Sequence, residues 1–213
     1  MAKIKGILFD MDGVLIDARD WHYEALNKAL RLFGHEITRY DHIHNFDGLP
    51  TRDKLALISE ESYLPEQLHS FINELKQDYT REMIEIKCHP TFQHEYALSK
   101  LKKEGYVMAV CSNSIRNTIE NMMDKAALSS YLDLIMSNED VTKAKPNPEI
   151  YVKAMEKLHL APAECLILED NKNGIKAAID SGAHLLRVND VYDVNYENIK
   201  QRIAEIEGGA DND

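Results

Sequence analysis

The stretch Ile4-Lys5-Gly6-Ile7-Leu8-Phe9-Asp10-Met11-Asp12-Gly13-Val14-Leu15 decides the fold. An apolar run ends abruptly in two acids two residues apart, and a glycine follows. A run that is continuous rather than alternating predicts a strand covered on both faces, as in a parallel sheet. Along extended chain Asp10 and Asp12 point to the same side, and Gly13 lets the backbone turn without a Cβ penalty. Two ionised carboxylates this close raise each other's pKa unless a proton or cation intervenes. A hard cation such as Mg²⁺, which takes oxygen ligands, resolves that conflict. A solvated Asp-x-Asp-Gly turn is the other use of the same residues.

With residues 4–9, four further runs of this character, at 107–111, 134–136, 165–168 and 185–188, give five expected strands. Helical spacing lies between the later ones. Leu98 and Leu101 lead up to Gly105, Ile119 and Met122 follow Ser114 as N-cap, Ile150 and Ala154 follow Pro148, and Ile175 and Ala178 follow Asn173. Strand and helix alternate, which predicts an α/β fold with a Rossmann-like parallel sheet and helices on both faces. Residues 18–87 break the rhythm with helical patterns only, at 21–33, 52–59 and 66–86. About seventy residues are too many for an ordinary crossover. The economical reading is an α-helical cap, residues 18–87, inserted into a core formed by 1–17 and 88–213. Strand ends carry the ligand site in such sheets, so the insertion would be a lid, with hinges near residues 17–18 and 89–90. The acidic, Gly-containing end, residues 207–213, reads as frayed.

A chain of 213 residues allows one large domain, or one domain with an insertion. A net charge of −11 argues against a duplex nucleic-acid partner, which needs a basic face. Cys88, Cys111 and Cys165 are odd in number and widely spaced, supporting neither a disulfide framework nor a structural zinc site. No apolar run is long enough to span a bilayer or build a signal-peptide core. The expectation is a cytoplasmic protein with no membrane partner, a monomer or weak dimer.

Three more sites sit at the ends of strand-like runs. Ser112-Asn113-Ser114 follows the second run and opens a helix, whose free N–H groups attract phosphate; ordinary capping is the alternative. Lys145 precedes Pro146 in a loop pinned by two prolines, from which an ammonium can neutralise a phosphate oxygen and a carboxylate together, or simply face solvent. Glu169 and Asp170 end the fourth run, where acids are costly unless they hold a metal or cap a helix; Asp170 is the better metal ligand, and Asn173 is an alternative N-cap. In a parallel sheet all four ends lie on one edge.

Asp10-Met11-Asp12-Gly13-Val14, Ser112-Asn113-Ser114, Lys145-Pro146 and Glu169-Asp170 together resemble the four motifs of the haloacid dehalogenase superfamily of phosphatases and phosphomutases. The resemblance runs from residue 4 to about 188. The helical insertion after the first motif is similar to the small cap of the subgroup that includes β-phosphoglucomutase and phosphoglycolate phosphatase. What it implies is a Mg²⁺-dependent phosphatase of a small sugar or polyol phosphate, with a β-phosphoglucomutase-like phosphomutase as the alternative. Asp10 would be the nucleophile that forms an aspartyl-phosphate, and Asp12 the general acid, then base. Ser112, Asn113 and Lys145 would hold the phosphoryl oxygens. Asp10, the carbonyl of Asp12, Asp170 and Glu169 would hold Mg²⁺. An acid at position 12 suits an alcohol leaving group and argues against carbon–halogen chemistry.

In the cap, Arg52, in Gly48-Leu49-Pro50-Thr51-Arg52, resembles a substrate-facing position. His22 matches a histidine that in the mutase links cap closure to acid–base work. Arg116 stands where substrate contact is also implied. Two departures count against a mutase: Ala18 replaces a hinge threonine, and Arg81 stands near a cap lysine. His35, His42, His44, His89, His94, His159 and His184 show no metal-ligand spacing and read as surface or core residues.

Overall fold

Alternate residues of the first strand go to opposite sides of a wholly parallel sheet, and helices cover both sides. The computed structural model describes residues 3–209. In chain order the elements are β1 (Gly6–Phe9), α1 (Arg19–Arg31), α2 (Thr51–Ser62), α3 (His69–Lys87), α4 (Phe92–Lys103), β2 (Val107–Cys111), α5 (Arg116–Lys125), β3 (Leu134–Met136), α6 (Glu149–Lys157), β4 (Cys165–Glu169), α7 (Lys172–Asp180), β5 (His184–Arg187) and α8 (Tyr196–Gly208). The strand order is β3-β2-β1-β4-β5. Ile7 and Phe9 pack with Met108, Val110 and Leu168 against Leu98, Ile119, Met122 and Ile203, so α4, α5 and α8 cover that face. Leu8 and Ile167 meet Ile150, Tyr151 and Ala177 on the other face, under α6 and α7. The chain builds outward to β3, then crosses back over β1 to lay down β4. That reversal opens a crevice beyond the carboxyl ends of β1 and β4.

Between β1 and β2 the chain makes no strand. A short helical segment (Arg39–Asp41, running into His42–Phe46) joins α1 to α2. These helices and α3 close around an apolar cluster of their own, with Leu26, Leu30, Phe46, Leu55, Ile58 and Ile72 buried in it. Ile84, near the end of α3, belongs instead to the main core, so this helix anchors the insertion to the sheet layer. Among the described residues no helix is long and apolar enough to cross a membrane.

Several boundaries differ from the expectation for physical reasons. β1 starts at Gly6 rather than residue 4, although Lys5 still pairs on both sides, donating to the Glu164 carbonyl and accepting from Val107 N–H. The helix expected over 66–86 opens with a single tight turn at Glu66–Leu68 before α3 begins. Ser114 does not cap α5, whose cap residue is Ile115 without a side-chain bond. Asn173 does not cap α7; the Asn171 side chain does, accepting from the N–H groups of Asn173 and Gly174. The acidic end is helical as far as Gly208, and the Glu207 carboxylate accepts a 3.0 Å bond from Ile4 N–H. Residues 210–213 of that end lie outside the described residues.

Ile72 is fully buried at the centre of the insertion's cluster. Replacing it by alanine leaves a cavity that costs about 2–5 kcal/mol. At roughly 2–4 °C per kcal/mol for a chain of this length, thermal melting followed by circular dichroism should show a fall of about 4 °C or more. An unchanged midpoint would mean that this cluster is not packed as described.

Candidate active site

Every strand-end motif meets in one place. The main chain delivers them there: Asp10 N–H donates to the Leu168 carbonyl at 3.0 Å, and Ser112 N–H to the Met136 carbonyl at 3.0 Å, each extending the ladder one residue past its strand. Lys145 arrives from the loop between β3 and α6 and is 3% exposed. Its Nζ lies 2.7 Å from Asp10 Oδ1 and 2.7 Å from Glu169 Oε1, with the Cys111 carbonyl and the Tyr151 hydroxyl both at 2.8 Å. The Tyr151 hydroxyl in turn donates to Glu169 Oε1. Burial alone would strip the ammonium of its proton, but the two carboxylates outweigh that and hold its pKa above the usual lysine value. Glu149 steadies the loop by accepting from Thr142 and Lys143 N–H.

Asp10, Glu169 and Asp170 each offer an oxygen, and these oxygens lie within 4.8 Å of one another. Burial pushes the Asp10 carboxyl well above its ordinary value, and Glu169, Asp170 and Asp12 add to the rise against the pull of Lys145. Asp170 is likewise raised by burial, although the Arg19 guanidinium binds it directly. Negative charge is thus in excess, and every donor is a hard oxygen, which fits a divalent cation of the Mg²⁺ or Mn²⁺ type rather than a soft metal. Two glycines make the room. A Cβ at Gly13, whose φ is +91°, would fall 2.0 Å from Asp170 Oδ2, and one at Gly174 would fall 1.9 Å from Glu169 Oε1.

Asp12 sits apart from the carboxylate cluster and faces the inserted helices. Its Oδ1 lies 3.1 Å from His22 Nε2, and its Oδ2 accepts from Ser114 Oγ at 3.2 Å. Burial raises the Asp12 carboxyl, but His22, Lys76 and Ser114 together pull it below its ordinary value. Lys76 Nζ is 3.2 Å from His22 Nδ1. The ring thus bridges the two, Nε2 toward Asp12 and Nδ1 toward Lys76. Burial lowers the His22 pKa against the opposing pull of Asp12.

A cavity of about 290 Å³ lies between the strand ends and the inserted helices. Asp10, Asp12, Ser112, Asn113 and Lys145 line one wall, and His22, Arg52, Lys54 and Lys76 the other. Arg52 is largely exposed and pairs with its neighbour Asp53 at 3.2 Å. The Asn113 side chain is occupied by main-chain groups: its amide donates to the Gly48 and Lys145 carbonyls, and its oxygen accepts from Lys145 N–H. Arg116 does not line this cavity; its guanidinium binds Asp140 at 2.6 Å and the Ile135 carbonyl at 3.3 Å. Arg81 pairs with Asp78 and does not line the cavity, whereas Lys54 and Lys76 do. His42, read as a surface or core residue, is buried and lines the cleft.

Sequence reasoning did not find Arg19, Lys54, Lys76, Ser114 or Tyr151. Ser114 carried a signal, a second hydroxyl in a strand-end motif, but capping explained it equally well. Tyr151 was hidden in the apolar stripe of α6. The two lysines carried none, since on an amphipathic helix a lysine reads as solvent-facing.

The family model for haloacid dehalogenase-like hydrolases matches residues 7–188. A protein from Aquifex aeolicus named phosphoglycolate phosphatase is 30% identical over 176 residues, 83% of this chain and 80% of that protein. A Thermotoga maritima protein named phosphorylated carbohydrates phosphatase is 27% identical over 180 residues, 84% of this chain and 82% of its own. In fold, the chain is similar to the crystal structure of β-phosphoglucomutase from Clostridium difficile, with a TM-score of 0.83 over 96% of this chain and 99% of that one, at 24% identity. With the motifs brought to one sheet edge and the match spanning nearly their whole extent, this chain belongs to the haloacid dehalogenase-like hydrolase family.

Proposed function

We propose that this protein is a Mg²⁺-dependent phosphatase that hydrolyses a small sugar or polyol phosphate through an aspartyl-phosphate on Asp10. The coarse class, a family hydrolase acting on phosphate monoesters, follows from family membership and from relatives named as phosphatases. The observation that carries the finer reading is the ammonium of Lys145 bridging Asp10 and Glu169 at 2.7 Å in a cavity that also exposes Asp12. Phosphoryl transfer needs positioning and charge neutralisation more than covalent assistance from the protein, and this wall supplies both.

In the first half, an Asp10 carboxylate oxygen attacks phosphorus, the ester P–O bond breaks, and Asp12 gives a proton to the departing alcohol oxygen. A phosphate dianion beside Asp12 raises its pKa by like-charge repulsion, countering the pull of His22 and Lys76 and allowing it to carry that proton. In the second half Asp12, ionised again, takes a proton from water, which attacks phosphorus and releases phosphate and Asp10. His22 fixes the direction of the Asp12 carboxylate throughout. Ser112, Asn113 and Lys145 hold phosphoryl oxygens. Asp10, the Asp12 carbonyl, Glu169 and Asp170 would hold Mg²⁺, which supplies charge neutralisation for the phosphoryl group when bound. We assign residues 18–87 to a cap that closes over this reaction and excludes water, with Arg52 at its rim available to the non-reacting end of the substrate.

A phosphomutase uses the same residues and differs in letting a second sugar hydroxyl, rather than water, capture the phosphoenzyme. Ala18 and Arg81 are the two departures from that pattern. With β-glucose 1-phosphate and a bisphosphate primer, free phosphate should appear faster than glucose 6-phosphate; the reverse order would make the protein a mutase.

Asp10→Asn should lower turnover of any phosphate ester by about 10⁴-fold or more, because the residues act as a unit. Near-native turnover in that variant would refute the nucleophile. Mg²⁺ at about 100 times its Kd should stabilise the fold by about 2.7 kcal/mol, visible as a rise in the melting midpoint. Asp170→Asn should abolish most of that rise; a full rise in the variant would remove Asp170 from the ligand set.

A further inference from the structure

Arg19 stands where a helix least favours a cation. It is the first residue of α1, after Ala18, which offers no capping side chain, and the free N–H groups of a helix start disfavour positive charge. Its guanidinium nevertheless reaches out of the insertion to Asp170 Oδ2, the one carboxylate with which it pairs among the described residues. The two partners differ in freedom. The Asp170 side chain, just past β4, is wholly buried, whereas that of Arg19 is 37% exposed and also feels the attraction of Asp47 and Asp17. Gly13 makes the space for both: a Cβ there would lie 2.0 Å from Asp170 Oδ2 and 2.8 Å from Arg19 Nε. The other Asp170 oxygen faces the Asn171 amide at 3.3 Å.

Charge decides what this contact does. Asp10, Glu169 and Asp170, the three acids brought together for a cation, are ionised when they act as ligands. Lys145 meets one of their three charges from between Asp10 and Glu169. Arg19 meets a second, on Asp170. Asp12 stays outside this count, because His22, Ser114 and Lys76 act on it from its other side. A divalent cation beside Lys145 neutralises all three acids without Arg19. With Arg19 still on Asp170 the cluster would turn positive, and two cations on one buried carboxylate repel with little screening. Of the two partners in the contact, the half-exposed guanidinium is the one able to move.

We propose that Arg19 is a built-in counter-cation of the metal site: it neutralises Asp170 until a divalent cation binds, is then displaced toward Asp47, Asp17 and water, and thereby sets the affinity for that cation. The inference rests on the assignment of Asp170 to the cation in the phosphatase reading. Competition of this kind is reciprocal, so whatever draws Arg19 off Asp170 tightens cation binding, and the cation releases the first turn of α1. The same turn holds His22 against Asp12. Cation binding is in this way linked to the helix on which the insertion begins.

Isothermal titration calorimetry with Mg²⁺ alone, on the whole protein, tests this. Arg19→Met removes the charge and keeps most of the stem; it should bind Mg²⁺ about tenfold more tightly than the parent protein, as expected from the loss of one charge-assisted competitor. Arg19→Gln is an independent second variant and should behave alike. Arg31→Met, at the far end of α1 where Arg31 pairs with Glu36, controls for total charge and should leave the affinity unchanged. In the parent, the Arg19 Nε–H resonance, identified by its absence from Arg19→Met, should exchange faster with water once Mg²⁺ saturates the site. Weaker or unchanged Mg²⁺ binding in both Arg19 variants, the result for an arginine that only orients Asp170, overturns the proposal, as does an equal gain in Arg31→Met. If Mg²⁺ binds neither the parent nor the Arg19 variants, the cation assignment itself fails and the counter-cation with it. Tighter binding in the Arg19 variants with no hydrolysis of phosphate esters by the parent upholds the counter-cation and overturns the phosphatase.

Discussion

Three acidic side chains crowd the carboxyl edge of the sheet, and a fourth stands two residues away from the first. Left to themselves they would repel, protonate or pull the loops apart, because buried like charges cannot all stay ionised. The Lys145 ammonium prevents this at the centre, lodged between Asp10 and Glu169 and fixed by the Cys111 carbonyl and Tyr151 hydroxyl. Arg19 does the same at the edge, on Asp170. Most of the architecture can be read as the means of holding that arrangement. β1, β2 and β4 bring in the acids and the Cys111 carbonyl, and the loop before α6 brings in the lysine. Gly13 and Gly174 leave the space that any side chain would fill.

Much of this was legible in the sequence, because it is written in the part of the fold with the strictest local rules. Strands buried on both faces must be continuous apolar runs, so a charged residue at the end of one stands out: Asp10, Glu169 and Asp170 were found that way, and Lys145 through the two prolines that pin its loop. Where a residue type has two good uses, the sequence leaves the choice open. Ser114 and Asn173 were both credible caps, and in each case a neighbour, Ile115 or Asn171, has that position instead. Ser114 is thereby released to hold Asp12. Edge strands blurred as well. β5 is only half buried and begins one residue earlier than its apolar run suggests.

The inserted helices were legible as helices and almost illegible as half of a site. Their apolar spacing predicts a cluster, and Leu26, Leu55 and Ile72 form one. The face turned to the sheet lies outside that cluster and lines the cleft instead. Lys54 and Lys76 are buried there although nothing in the 3.6-residue pattern separates them from the exposed lysines of the same helices. Only the tertiary arrangement shows that their heads point inward. Arg116 shows the converse: its place beside a phosphate-binding motif suggested a contact, yet Asp140 and the end of β3 bind it on the outer side.

The Asn113 amide ties the loop at Gly48 to the loop at Lys145, spending both its donor and its acceptor on backbone groups of the two. Any outward swing of the helical insertion has to break the bond to the Gly48 carbonyl. The freed N–H would then face the cleft beside Ser112, available to a ligand oxygen. A single carboxamide would thus trade one tether for another, and the entry of a ligand would be felt at once by the roof above it.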